Sequence, residues 1–229
     1  YTLYELATDT LIDLHKNFRP KRHPQLPAYT QALYQREHDL FIDWYYPAVF
    51  GHTLDHKART QWNDAWNQVL SFVLTRNVTL VLRDFHVDNL MYLPQRPGIQ
   101  RCGLLDFQDA VMGPRTYDLV SLLEDARRDI PLDLQTKMIE RYLNAFPKLD
   151  PHDFEKEYYT MGAQRTTKIF GIFTRLARRS QHASPRYLPH IARLWRLLEK
   201  DLRHPHLHPV KEWMNIYCPI DKRRIPHAD

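Results

Sequence analysis

Apolar residues recur along this chain at two different spacings. Leu3, Leu6, Ala7, Leu11 and Leu14 fall on one helical stripe, which predicts an amphipathic helix over 2–16. A second helix is predicted over 28–45, ending at Pro47. A third is predicted over 57–75, where Trp62, Ala65, Trp66, Val69, Leu70 and Val73 share a face. Between the first two, residues 17–27 (NFRPKRHPQLP) read as a basic, Pro-rich loop. The period then shortens. Residues 79–82 form a brief apolar, partly β-branched run that fits a strand. Residues 91–93 and 101–105 read as a hairpin with Pro94 and Gly98 in its turn. After Pro114 the helical spacing returns, with helices predicted near 116–128, 132–145, 151–179 and 187–203. The segment HPHLHP, 204–209, reads as a loop because its prolines interrupt any helix that would present the three imidazoles together, and it is not assigned a metal. The fold class that follows is α+β, mainly α-helical, with a small β-hairpin cluster between two sets of helices.

Composition narrows the field. The hydrophobic content of 43% supports a real core, and 12% aromatic residues argue against disorder. No run of about 18 apolar residues is present to span a membrane. The opening YTLYELATDTLIDLHK has no basic leader and no unbroken apolar stretch, so it does not read as a signal peptide. It starts inside a helical pattern and without Met, which points to a fragment or a trimmed chain. The two cysteines, Cys102 and Cys218, do not make a disulfide framework, and a reducing cytoplasm is the expected compartment. A formal charge of +5 is modest for 229 residues with 27 acidic side chains, and no nucleic-acid-binding signature accompanies it.

The chemistry is concentrated in LVLRDFHVDNLMYL, residues 80–93. Asp84 and Asn89 stand five apart in a loop that leaves one strand and enters another. Asp106 follows at the end of the second hairpin strand, in GLLDFQDA. This D-x-x-x-x-N followed by D-F is the order of a phosphoryl-transfer site. A hydroxyl that attacks a γ-phosphate needs a carboxylate to orient it and accept its proton, a role that suits Asp84. Mg²⁺ takes oxygen ligands, which the Asn89 carbonyl and the Asp106 carboxylate supply. ATP is the expected phosphate donor. The bland reading, a polar turn cluster that matches by chance, is disfavoured because spacing, strand context and flanks agree.

LRDFHVDNLMYL, followed by GLLDFQDAVMGPRTYDLVSLLED, resembles the catalytic core of the aminoglycoside phosphotransferase family, small-molecule kinases with a protein-kinase-like fold. Where that family usually reads H-G-D, this chain has Leu82-Arg83-Asp84, and the third position of the D-F-G pattern is Gln108. HDLFIDWYYP (38–47), the 83–129 block, GAQRTTKIFGIFTRLARR and RYLPHIARLWRLLEKDL are similar to the bacterial anomeric sugar kinases that phosphorylate N-acetylmuramate and N-acetylglucosamine. The resemblance implies a kinase of cell-wall recycling with a small-molecule sugar substrate. An aminoglycoside, choline or other alcohol as acceptor, or a non-catalytic binding module, are the alternatives. It also implies an N-terminal nucleotide-binding lobe. The six glycines show no G-x-G spacing and no V-A-I-K-like strand exists, so the expectation is that this lobe is absent, that 1–229 is a single C-terminal lobe, and that the nucleotide-contacting residues stay unassigned.

The remaining candidates carry ordinary readings beside the functional ones. His86 reads as a loop buttress, and Asp118 as a brace of the catalytic loop. Asp88 reads as a surface turn residue, and Arg83 as a partner of either a phosphate or an acid. Gln164, Arg165 and Lys168 lie on one helix and are candidates for a sugar pocket, against a solvated basic face. Asp43 and Trp44 are a second candidate, against core packing for Trp44.

Overall fold

The computed structural model describes residues 2–76, 78–178 and 184–227. Within them the contacts separate two compact units. The first comprises 1–29 and 74–158, the second 30–73 and 159–229.

The first unit begins with α1, Leu3–Asn17. Thr2 and Glu5 close its start reciprocally: the Thr2 hydroxyl accepts from the Glu5 N–H, and the Glu5 carboxylate accepts from the Thr2 N–H. The buried stripe of α1 includes Leu6, Ala7 and Leu11, as the spacing predicts, and also His15. The His15 ring lies 2.6 Å from the Tyr142 hydroxyl and 3.1 Å from the Leu80 carbonyl. It thereby ties α1 to strand β1, Thr79–Val81, and to α6, Leu132–Ala145.

Two short antiparallel ladders follow. Strands β2, Leu90–Tyr92, and β3, Cys102–Leu104, form the hairpin that the alternation predicts, with Leu90 opposite Leu104. Strand β1 pairs with β4, Val111–Gly113, which the pattern does not predict: its partner is distant in the chain, so no hairpin turn announces it. A side chain at Gly113 would meet Val81 and Tyr29 at 3.0 and 3.3 Å. The Pro-rich loop also ends on this ladder, where Met112 N–H donates to the Pro27 carbonyl and Tyr29 N–H to the Met112 carbonyl, each at 2.8 Å. Helix α5, Tyr117–Leu123, stops short of the predicted 128. The Asp125 carboxylate accepts the Arg127 N–H at 2.8 Å, and that local bond competes with helix continuation.

In the second unit the predicted helix over 28–45 is three pieces. Helix α2 runs Gln31–Leu40, a π-turn spans Phe41–Tyr45, and α3 runs Tyr46–Phe50 to the left-handed Gly51. Pro47 therefore does not end the helix. It sits in the first turn of α3, directly after the π-turn, whose shifted hydrogen-bond register accommodates the missing N–H. Helix α4, His56–Leu74, buries the predicted Trp62–Val73 face. Helix α7, Pro151–Arg178, begins in the first unit and ends in the second, and the predicted residue 179 lies outside the described residues. Helix α8 is shorter than predicted, Ile191–Asp201, because a 3-10 segment with Pro189 inside it occupies 185–190. The His/Pro segment is no open loop. Residues 205–207 form a 3-10 turn, and Pro209 opens α9, His208–Tyr217, in the first turn that tolerates proline. His206 bonds the Val69 carbonyl at 2.8 Å, and among the described residues no His/Cys/Asp/Glu cluster forms a metal cage.

The core of the second unit is aromatic. Phe41 stacks on Trp62 and meets Phe170 edge-on, while Trp195 packs on Phe170 with centroids 4.7 Å apart. Gly171 is required by close approach: a Cβ there would lie 2.2 Å from the Leu40 carbonyl oxygen, at the entrance to the π-turn.

Candidate active site

All three residues of the phosphoryl-transfer pattern belong to the first unit, and the two ladders position them. β1 ends at Val81, and the chain then turns through Arg83, a non-glycine residue at φ 72°. Left-handed backbone at such a residue costs about 1 kcal/mol and persists only where its surroundings hold it. Asp118 supplies the hold. Fully buried in the first turn of α5, its carboxylate accepts the Leu82 N–H at 2.6 Å and the Arg83 N–H at 3.0 Å. The Arg83 guanidinium itself reaches the Asp109 carbonyl at 3.4 Å and lies over the Tyr29 ring. Asp84 follows this turn, partly exposed.

Asn89 closes the loop. Its amide nitrogen donates to the Asp84 carbonyl at 3.0 Å, so the nitrogen and not the amide oxygen makes this bond to the loop. His86 is buried, with its carbonyl accepting the Asn89 N–H at 2.9 Å and its ring 3.5 Å from the Asn89 amide nitrogen. The Leu105 N–H donates to the Asn89 carbonyl at 3.0 Å, extending the β2–β3 ladder and bringing Asn89 level with the residue before Asp106. Asp106 is the second left-handed residue, at φ 59°, and its exposed carboxylate accepts the Gln108 side-chain N–H at 2.7 Å. One amide oxygen and one carboxylate are too few for a closed protein cage. They suit an ion that keeps water and phosphate oxygens as its other ligands, the habit of Mg²⁺. Asp88 is exposed and pairs with Arg128 at 2.7 Å.

The sugar-pocket candidates lie in the second unit. Gln164, Arg165 and Lys168 are buried, not a solvated basic face. Two of them, Gln164 and Lys168, converge on a residue that the sequence pattern alone did not single out, Glu37 on α2. Its carboxylate lies 3.1 Å from the Lys168 ammonium and accepts the Gln164 amide at 3.1 Å. The signal was present in the sequence: Tyr34, Glu37, His38 and Phe41 form one helical stripe with a lone acid on it. Asp43 is held on the surface by Arg59 at 2.5 Å, and Trp44 is partly buried in the π-turn.

The phosphotransferase enzyme family matches residues 1–155, and the chain belongs to that family. It is 35% identical over 228 residues to a Caulobacter vibrioides protein named N-acetylmuramate/N-acetylglucosamine kinase, an alignment covering 97% of this chain and 62% of the relative. Proteins of the same name from Neisseria meningitidis and Pseudomonas aeruginosa are 36% and 35% identical, covering 89% and 92% of this chain and 60% and 61% of theirs. The chain thus spans about three-fifths of the length of the curated relatives it matches.

Proposed function

We propose that this chain is the acceptor-activating part of an ATP-dependent kinase whose acceptor is an N-acetylated amino sugar, phosphorylated at its anomeric hydroxyl during cell-wall recycling. The observation that carries the reading is that relatives sharing one printed name align over at least 89% of the chain. The geometry of the loop supports it. Asp84 orients the sugar hydroxyl and takes its proton as a new P–O bond forms and the bond from the γ-phosphorus to ADP breaks. The Asn89 amide oxygen and the Asp106 carboxylate would hold Mg²⁺, which when bound neutralises charge on the phosphates. The buried Glu37–Gln164–Lys168 group is the proposed sugar pocket, with Arg165, Asp43 and Trp44 as further candidate contacts. Because Glu37 engages Lys168, recognition there is by hydrogen bonds to hydroxyl and acetamido groups more than by free charge. Nucleotide-binding strands would come from an N-terminal lobe outside residues 1–229. On its own the chain would then bind ATP weakly and turn over little.

The test is ADP release by the complete gene product with Mg-ATP and N-acetylmuramate, N-acetylglucosamine or kanamycin. Sugar-dependent turnover is expected, reduced about 10²–10⁴-fold in Asp84→Asn. Absence of turnover with either sugar would discard the acceptor assignment.

A further inference from the structure

Helix α5 touches the catalytic loop twice. At its start, Asp118 holds the Leu82 and Arg83 N–H groups. Just beyond its end, Arg128 pairs with Asp88 at 2.7 Å, and the Arg127 guanidinium lies 3.8 Å from the same carboxylate. Asp88 is in the middle of the 3-10 turn Val87–Asn89, immediately before the proposed metal ligand.

The arginines are themselves fixed. Asp125 is 1% exposed and accepts the Arg127 N–H at 2.8 Å, and its other carboxylate oxygen lies 3.5 Å from the Arg128 guanidinium. Two arginines and two aspartates therefore close a network between the 124–128 turn and the catalytic loop. Asp88 and Arg128 are half-exposed, so as an isolated pair they would contribute little. A network anchored on a buried carboxylate, with its rotamers already restricted, loses less entropy and holds its geometry better.

Apolar packing offers the 3-10 turn only partial support. Val87 and Leu90, at its two ends, line a cavity of about 310 Å³ together with Leu3, Tyr4 and Met91, and Arg128 stands on its wall. Leu3 and Met91 on that wall are exposed, so the turn faces a half-open cleft and depends more on its polar anchors than one packed into a core.

We infer that Asp88 and Arg128, with Arg127 and Asp125 behind them, are positioning residues that fix the Asn89 end of the catalytic loop as Asp118 fixes its Arg83 end. The consequence for the proposed reaction, on which this part rests, is specific. Loosening the Asn89 end weakens metal binding and leaves the sugar pocket alone.

The experiment uses the complete gene product and two readouts. Amide hydrogen exchange, followed by mass spectrometry, needs no activity. Arg128→Ala and Asp88→Ala are expected to speed exchange in 86–92 about fivefold, the size a partly exposed ion-pair network supports, with 79–83 unchanged. Arg128→Lys restores part of the protection, and the double variant Asp88→Ala/Arg128→Ala exchanges no faster than either single change, as expected for two residues acting through one contact. In turnover assays the Ala variants need several times more Mg²⁺ for half-maximal rate, with the sugar KM unchanged. Unaltered exchange in 86–92, or equal loosening of both ends of the loop, overturns the inference. If the wild-type protein shows no sugar-dependent turnover while exchange responds as stated, the proposed acceptor fails and the clamp stands.

Discussion

Asp118 carries more of the site than its distance from the chemistry would indicate. One carboxylate satisfies two consecutive backbone N–H groups and holds Arg83 in left-handed geometry. Asp118→Ala leaves both donors without their acceptor and is expected to cost about 2–4 kcal/mol by chemical denaturation. It should also lower kcat more than the sugar KM, because the turn that delivers Asp84 relaxes. Asp118→Asn keeps one acceptor oxygen and should lie between that variant and the native protein. At this scale the sequence was readable where chemistry dictates residue type and spacing together. The proposed roles of Asp84, Asn89 and Asp106 come from such a pattern, since residues able to act as a proton acceptor and two oxygen ligands at those intervals have few other uses. Glu37 and Asp125 did not stand out, since a buried acid acquires meaning only from the cations and N–H groups that folding brings to it.

Among the elements, long amphipathic helices were legible and local departures from them were not. The apolar stripes located α1, α4, α6 and α7 to within a few residues. The π-turn at 41–45 escaped because it preserves the apolar stripe while shifting the hydrogen-bond register, and β4 escaped because it pairs with the distant β1 and no hairpin turn announces it. The π-turn has a counterpart on α7. A methyl group on Gly171 would strike the Leu40 carbonyl oxygen at 2.2 Å, backbone against backbone, where no flexible side chain can yield. Gly171→Ala is therefore expected to destabilise the protein by about 1–3 kcal/mol, read as a lower urea midpoint, with loss of the aromatic near-ultraviolet signal of the Phe41–Trp62–Phe170 cluster. A methyl on Gly162 meets the fully buried Asp201 carboxylate at 2.4 Å, so Gly162→Ala should also destabilise the protein.

For the molecule as a whole, both units are vulnerable to acid through a buried neutral imidazole. Burial lowers His15 to about 3, with the Arg115 charge adding to the effect, and burial likewise lowers His38 to about 3 where it stacks on Trp66. The unfolded chain protonates both near the ordinary histidine value, so between that value and 3 it binds more protons than the folded protein. Stability is then fully present above about pH 6.5 and declines as pH falls, by roughly 1.4 kcal/mol per pH unit for each histidine. Denaturant midpoints measured from pH 7 to pH 5 should show this slope, and His15→Gln should flatten it even if stability at pH 7 drops. The bulk composition correctly indicated a folded domain, and among the described residues no helix is long and apolar enough to cross a membrane. The division into two units was not legible, because two of its three borders fall within α4 and α7, and the Pro-rich segment 17–27 marks only the first. The β2–β3 hairpin lends itself to instrumentation. Its tip, 94–98, is exposed, while the far end of the ladder joins Asn89 to Leu105, roughly 17 Å away for five residues at the rise of a strand. A fluorophore attached at the tip would sit outside the reaction yet on the same rigid ribbon as the proposed metal ligands, turning the hairpin into a built-in gauge of when the site is loaded.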